Sequence, residues 1–182
     1  MTGEIVAIDV RPAEAGADGP RQGMQDIVRP RIYGRMVSEG CGKDVAYLIL
    51  HPAVNFMHHY LLEPLARRGR AALGLNTRYV NNDSALLAER VIQDIGAGVK
   101  YLREQGYKRV IYIGNSGGGS VGTLFQSQAE NLTITTTPDG APIDLRKDDL
   151  PPVDGWCWRP ATSAGRAISA CRSTRRCWTR RT

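Results

Sequence analysis

The residues best able to do chemistry gather between Lys108 and Ser120. Val110–Ile113 is a short apolar run, Gly114-Asn-Ser116-Gly-Gly118 fits G-x-S-x-G, and Val121, Leu124 and Phe125 continue at helical spacing. That order predicts a strand, a sharp turn, and a helix running to about Glu130. In such a turn the serine is held in a strained backbone conformation that lifts its hydroxyl above the strand ends, where it can serve as a nucleophile. The N–H of Gly117, at the start of the helix, faces the same space and would donate to an oxyanion. A phosphate-binding loop of the G-x-x-x-x-G-K-[ST] type is excluded, because no lysine follows the glycines.

The elements needed to hold this turn are legible on either side of it. Val45–Leu50 is a near-continuous apolar run, the pattern of a strand buried on both faces, and it leads into the loop His51-Pro-Ala-Val-Asn55. A helix is expected over residues 56–68, with Pro64 allowing a kink or a late start and Gly69 as its stop. Residues 70–75 form the next strand, Asn76–Asp83 a polar loop, and residues 84–105 a long helix ended by Gly106. Upstream, Ile5–Val10 reads as an edge strand with Arg31–Val37 as its hairpin partner. Downstream of Asn131 the chain is polar and irregular, with a turn at Pro138-Asp-Gly140. The alternation of strands and helices predicts the α/β class: a mostly parallel sheet, right-handed crossovers and helices on both faces.

Loops that follow consecutive parallel strands meet at the carboxyl ends of the sheet, so the His51–Asn55 loop should face Ser116. Ala53 N–H is then the expected second oxyanion donor beside Gly117 N–H. His51 is expected to fix its loop by hydrogen bonding rather than to act as a base. Asn55, Asn76 and Arg78 either line a substrate mouth, as His51 also could, or satisfy loop backbone. His58 and His59 read as helix-surface residues, and Asp94 as a solvated or capping carboxylate.

A chain of 182 residues with 42% hydrophobic and 23% charged residues suits one globular domain. It holds no apolar run of about 18 residues that could span a membrane, and its N-terminus lacks the layout of a secretory leader, so a cytoplasmic location is expected. The net charge of +6 is concentrated at one end. Of the 24 Lys and Arg residues, seven arginines lie in residues 156–182, where there is no Asp, Glu or Lys; the remainder has 17 basic against 18 acidic residues. Three of the four cysteines and all three tryptophans share that tail. No C-x-x-C pair or Cys/His cluster has metal-ligand spacing, so no metal site is expected.

Residues 45–129 resemble the N-terminal half of an α/β-hydrolase fold protein. Ile113-Gly-Asn-Ser-Gly-Gly118 resembles the nucleophile elbow, Leu50-His-Pro-Ala53 the loop after the third strand, and Leu75-Asn-Thr-Arg78 the turn after the fourth. The resemblance implies hydrolysis of an ester or related acyl substrate through an acyl-enzyme on Ser116, with no metal or organic cofactor. It also implies a triad in the order Ser, acid, His. His51, His58 and His59 are the only histidines and all precede Ser116; Asp144, Asp148, Asp149 and Asp154 all precede the strand after which the acid is due. The expected product is an incomplete α/β-hydrolase fold, inactive or nearly so. Gly-Asn-Ser-Gly-Gly also resembles the chymotrypsin-like motif, but that all-β fold has no helix after its serine.

The division expected is a partial core over residues 1–155 and a disordered Arg/Trp/Cys-rich tail over 156–182. The tail begins where an apolar sixth strand is due, the pattern of a frameshifted reading frame. Its charge pattern argues against nucleic acid as the main partner; the partner that the resemblance implies is a small acyl substrate, and no oligomeric state is implied. The alternative is a non-catalytic protein whose basic tail binds nucleic acid or acidic surfaces.

Overall fold

The computed structural model describes residues 2–11, 30–159 and 171–173. Seven strands form one sheet: β1 (Glu4–Asp9), β2 (Arg31–Val37), β3 (Val45–His51), β4 (Ala71–Asn76), β5 (Arg109–Asn115), β6 (Gly155–Arg159) and β7 (Cys171–Ser173). Their order is β1-β2-β4-β3-β5-β6-β7. The central strands β4, β3, β5 and β6 run parallel, while β1–β2, β2–β4 and β6–β7 pair antiparallel. The expected hairpin of the first two strands is present, with β1 on the sheet edge.

β3 lies in the middle of the parallel set, which explains its unbroken apolar run: Leu48, Ile49 and Leu50 are all fully buried. Alternate residues feed two cores. Ala46, Leu48, Leu50, Leu73 and Leu75 join Val91, Ile92, Ile95, Val99 and Leu102 of α2 (Ala88–Glu104), together with Val121 and Phe125 of α3 (Gly117–Glu130). Ile49, Ala72, Val37 and Ile113 pack on the other face with Phe56 and with Leu62 and Ala66 of α1 (Leu62–Ala66). Each fully buried aliphatic side chain contributes about 1.5–3 kcal/mol. Helices thus cover both faces, as the α/β pattern requires.

Two helices start later than the apolar spacing predicts. α1 begins at Leu62 instead of residue 56, which puts Pro64 in the first turn, where its missing N–H costs nothing; Gly69 then stops the chain at φ 70°. α2 begins at Ala88 instead of residue 84, after a single 3₁₀ turn over Asp83–Ala85. Leu86 and Leu87 keep extended backbone and pack on the core before the helix starts.

The sheet continues past Gly155, where the tail is expected to begin. Trp156, Cys157 and Trp158 lie in β6, in parallel register with Tyr112, Ile113 and Gly114. The segment lacks a run of aliphatic residues, yet its alternation satisfies the pleat. Trp156 meets the α2/α3 core, the buried Cys157 joins Ile49 and Ile113 on the opposite face, and Trp158 returns to the α3 side. The approach to β6 is also anchored: Asp154 accepts from Arg103 Nη2 (2.6 Å) and Val110 N (2.8 Å). The rest of the tail, including Cys177, Trp178 and the arginines from Arg175 onward, lies outside the described residues, and so does the expectation of disorder there.

Candidate active site

The chain passes from β3 to β4 on one side and then crosses back to place β5 on the other side of β3. This reversal makes a switch point at the carboxyl ends of β3 and β5, the place where open α/β sheets form their crevice. In the β3–β5 register Leu50 sits opposite Gly114, so His51 and the loop after it come level with Asn115 and Ser116.

Ser116 connects β5 directly to α3 with φ 51° and ψ −119°, outside the usual regions for a residue with a side chain. Such a conformation costs on the order of 1–3 kcal/mol and must be imposed by the surroundings. The imposing contacts are close. A Cβ on Gly114 would stand 2.5 Å from the Gly118 carbonyl, and one on Gly118 would stand 2.3 Å from Leu50 O. The motif glycines let the turn, α3 and β3 meet backbone to backbone. Ser116 itself is half-buried. As the first residue of α3, Gly117 has an N–H that no carbonyl inside the helix accepts, at the helix end that adjoins the carboxyl end of β5.

Two aromatic residues that the motif does not mention brace this turn. The buried Tyr112 hydroxyl donates to Gly118 O (2.7 Å), and its ring fills the space that a side chain at position 122 would need. Burial pushes the Tyr112 hydroxyl far above the ordinary tyrosine range, so it remains a donor. The Trp158 indole lies against Gly119 and donates from Nε1 to Ser116 O (3.3 Å). Tyr112 could have been found from its place in β5; Trp158, 42 residues beyond the serine, carried no local signal.

The residues expected beside the serine divide differently. His51 Nδ1 accepts from Ala53 N (3.1 Å) and Val54 N (3.2 Å), which is the loop-fixing role expected of it. The Ala53 N–H, the expected second oxyanion donor, is thus engaged by the histidine, because the ring at the end of β3 folds over the next turn. Asn55 Oδ1 accepts from Met57 N (3.0 Å), and Asn76 Oδ1 accepts from Phe56 N (2.8 Å). Arg78 is held by Asp94, whose carboxylate takes Arg78 N (2.8 Å), Nε (3.0 Å) and Nη2 (2.8 Å). Asp94 is fully buried, neither solvated nor a cap. These bonds tie Asn55, Asn76 and Arg78 to loop backbone and to α2. Thr77 Oγ1 donating to Pro52 O and Asn81 N donating to Ala53 O complete the tie between the β3 and β4 loops.

The remaining titratable candidates are placed elsewhere. His58 and His59 lie in the turns before α1 instead of on a helix surface, with His59 stacked between Phe56 and Tyr60. A cleft of about 380 Å³ lined by Arg35, His58, His59, Tyr60, Glu63, Pro64 and Arg67 includes no elbow residue. Asp144 accepts from Arg146, Asp148 pairs with Arg11 and Gln93, Asp149 with Lys100, and Asp154 stands at the amino end of β6, opposite the elbow.

No family model matches the chain, and no curated protein matches it. Solved structures do. A protein of Agrobacterium vitis S4 to which hydrolase activity is ascribed superposes with a TM-score of 0.55 at 13% identity, over 88% of this chain and 54% of that one. An esterase of Pyrococcus furiosus gives 0.48 at 20% identity over 72% and 47%, and a bacterial brefeldin A esterase gives 0.48 at 16% over 70% and 36%. The chain spans about half the length of the first two of these structures. At 13% identity the likeness to the Agrobacterium vitis protein is one of fold, and the sheet order, the switch point and the elbow agree with it: the chain has the α/β-hydrolase fold. Among the described residues no helix is long and apolar enough to cross a membrane.

Proposed function

We propose that this chain carries the nucleophile half of a serine hydrolase site acting on a small ester or related acyl substrate. The observation that supports it most strongly is the backbone of Ser116, a positive-φ serine held between β5 and α3 by close glycine contacts. Strain at a surface-accessible nucleophile is what this chemistry uses. The Ser116 hydroxyl attacks the acyl carbon as its proton passes to water, the carbonyl electron pair moves onto its oxygen facing Gly117 N–H, and on collapse the bond from the acyl carbon to the alkoxy oxygen breaks and the departing alkoxide takes a proton from water. No histidine follows Ser116 in the chain, and His51 Nδ1 is committed to its loop. Without a base to activate the serine and then the water, acylation is slow and deacylation slower; loss of a triad member costs on the order of 10⁴–10⁶-fold.

p-Nitrophenyl acetate tests this reading. The expected result is slow acetylation confined to Ser116, absent in Ser116→Ala, with no sustained turnover. Acetylation unchanged by Ser116→Ala overturns the nucleophile. Sustained turnover abolished by Ser116→Ala overturns the missing base.

A further inference from the structure

Ala53 N–H donates to His51 Nδ1, which leaves the oxyanion facing Gly117 with one backbone donor. The same bonds fix the state of the imidazole. A nitrogen that accepts from Ala53 N and Val54 N carries no proton, so in the neutral ring the proton resides on Nε2. Nε2 is directed toward the elbow: it lies 3.6 Å from where a Cβ on Gly117 would stand, with Pro52 Cγ at 3.4 Å on the same side. The ring is half-buried, and burial holds its pKa below the ordinary histidine value, which keeps it neutral near pH 7.

We infer that the Nε2–H of His51 is the second oxyanion donor, acting beside Gly117 N–H on the acyl oxygen of a substrate attacked by Ser116. This rests on the proposal that Ser116 is the nucleophile. It gives the histidine two tasks at opposite nitrogens. Nδ1 gathers the loop amides, and that gathering orients Nε2–H toward the residue following the serine. The same tautomer excludes His51 as the general base, because the nitrogen facing the elbow already bears its proton. A donor that responds to the charge developing on the acyl oxygen lowers the barrier without moving a proton, and removing one such donor typically costs about 10²–10³-fold in rate.

The test uses a fluorophosphonate, which reacts without a deacylation step. Ser116 Oγ bonds to phosphorus, the P–F bond breaks with its electron pair leaving on fluoride, and the hydroxyl proton passes to water. The phosphoryl oxygen occupies the oxyanion position. Labelling rates are compared for the native chain, Ser116→Ala, His51→Asn and His51→Gln, with thermal unfolding of each. Asparagine keeps an acceptor near the Nδ1 position and has no donor at the Nε2 position; glutamine reaches a donor toward the Nε2 position. The expected result is about a 100-fold slower rate in His51→Asn at unchanged melting temperature, with much of the rate restored in His51→Gln. His51→Asn labelled at the native rate overturns the inference and leaves the nucleophile standing. A native chain left unlabelled at Ser116 overturns the nucleophile and the inference together. The ring of the native chain gives a readout independent of folding in the variants: nitrogen-detected NMR should find the Nε2–H tautomer, with its proton moving downfield on phosphonylation. An Nδ1–H tautomer overturns the inference.

Discussion

At the scale of single residues, the G-x-S-x-G motif is a set of distances. Gly114→Ala and Gly118→Ala each drive a methyl group into backbone at 2.5 and 2.3 Å, where nothing can rotate away. Each should cost about 1–3 kcal/mol in denaturant melts as an overpacking change. Gly117→Ala meets only Pro52 and His51 at ordinary contact distance and should cost far less. His51 supplies a pH signature. Its folded pKa lies below the ordinary 6.5 because burial disfavours the charged ring. Below pH 6.5 the unfolded chain therefore binds more protons than the folded one, and stability falls as the pH drops toward the depressed folded value. Melting temperatures from pH 7.5 to 5 should show this loss in the native chain and a smaller one in His51→Asn. The sequence made the glycines, the serine and the loop-fixing histidine legible. It could not show that the Ala53 amide is spent on His51, because which loop N–H remains available depends on how the ring folds over the turn.

At the scale of elements, the strands were legible because a parallel sheet buried on both faces demands runs such as Val45–Leu50. Helix starts were less so: Pro64 marks a late start for α1 without fixing where it falls, and the extended Leu86-Leu87 delays α2 through packing that a periodic pattern does not record. The Arg78–Asp94 pair joins the loop after β4 to the middle of α2 across 16 residues. A carboxylate with no exposed surface needs its partner, and breaking such a pair typically costs about 3–5 kcal/mol. Arg78→Met should lower stability by about that amount in urea unfolding. Because Arg78 belongs to the frame of the crevice, acylation of Ser116 in any protein that remains folded should change less than in the Gly118→Ala chain.

At the scale of the whole molecule, the sheet uses residues that composition alone assigns to a tail. Trp156-Cys-Trp158 contains no aliphatic residue, and its arginine-rich surroundings conceal the alternation that lets it pair with β5. Trp158 then lies on Gly119 and donates to the Ser116 carbonyl, so the elbow and residues 156–158 are one structure. A chain ending at Gly155 would lose β6, leave the outer edge of β5 unpaired and remove the indole from α3. It should melt lower and aggregate more readily than the 182-residue chain; equal melting temperatures and solubility would return the boundary to residue 155.

The central claim is that the strained turn presents Ser116 as a nucleophile, and peptide mapping after exposure to a fluorophosphonate tests it most directly. One phosphonyl adduct on the Ser116 peptide is predicted, lost in Ser116→Ala and strongly slowed in Gly118→Ala, where the turn cannot hold its shape. An unmodified Ser116 in the folded native chain, or an adduct that persists after Ser116→Ala, would contradict it.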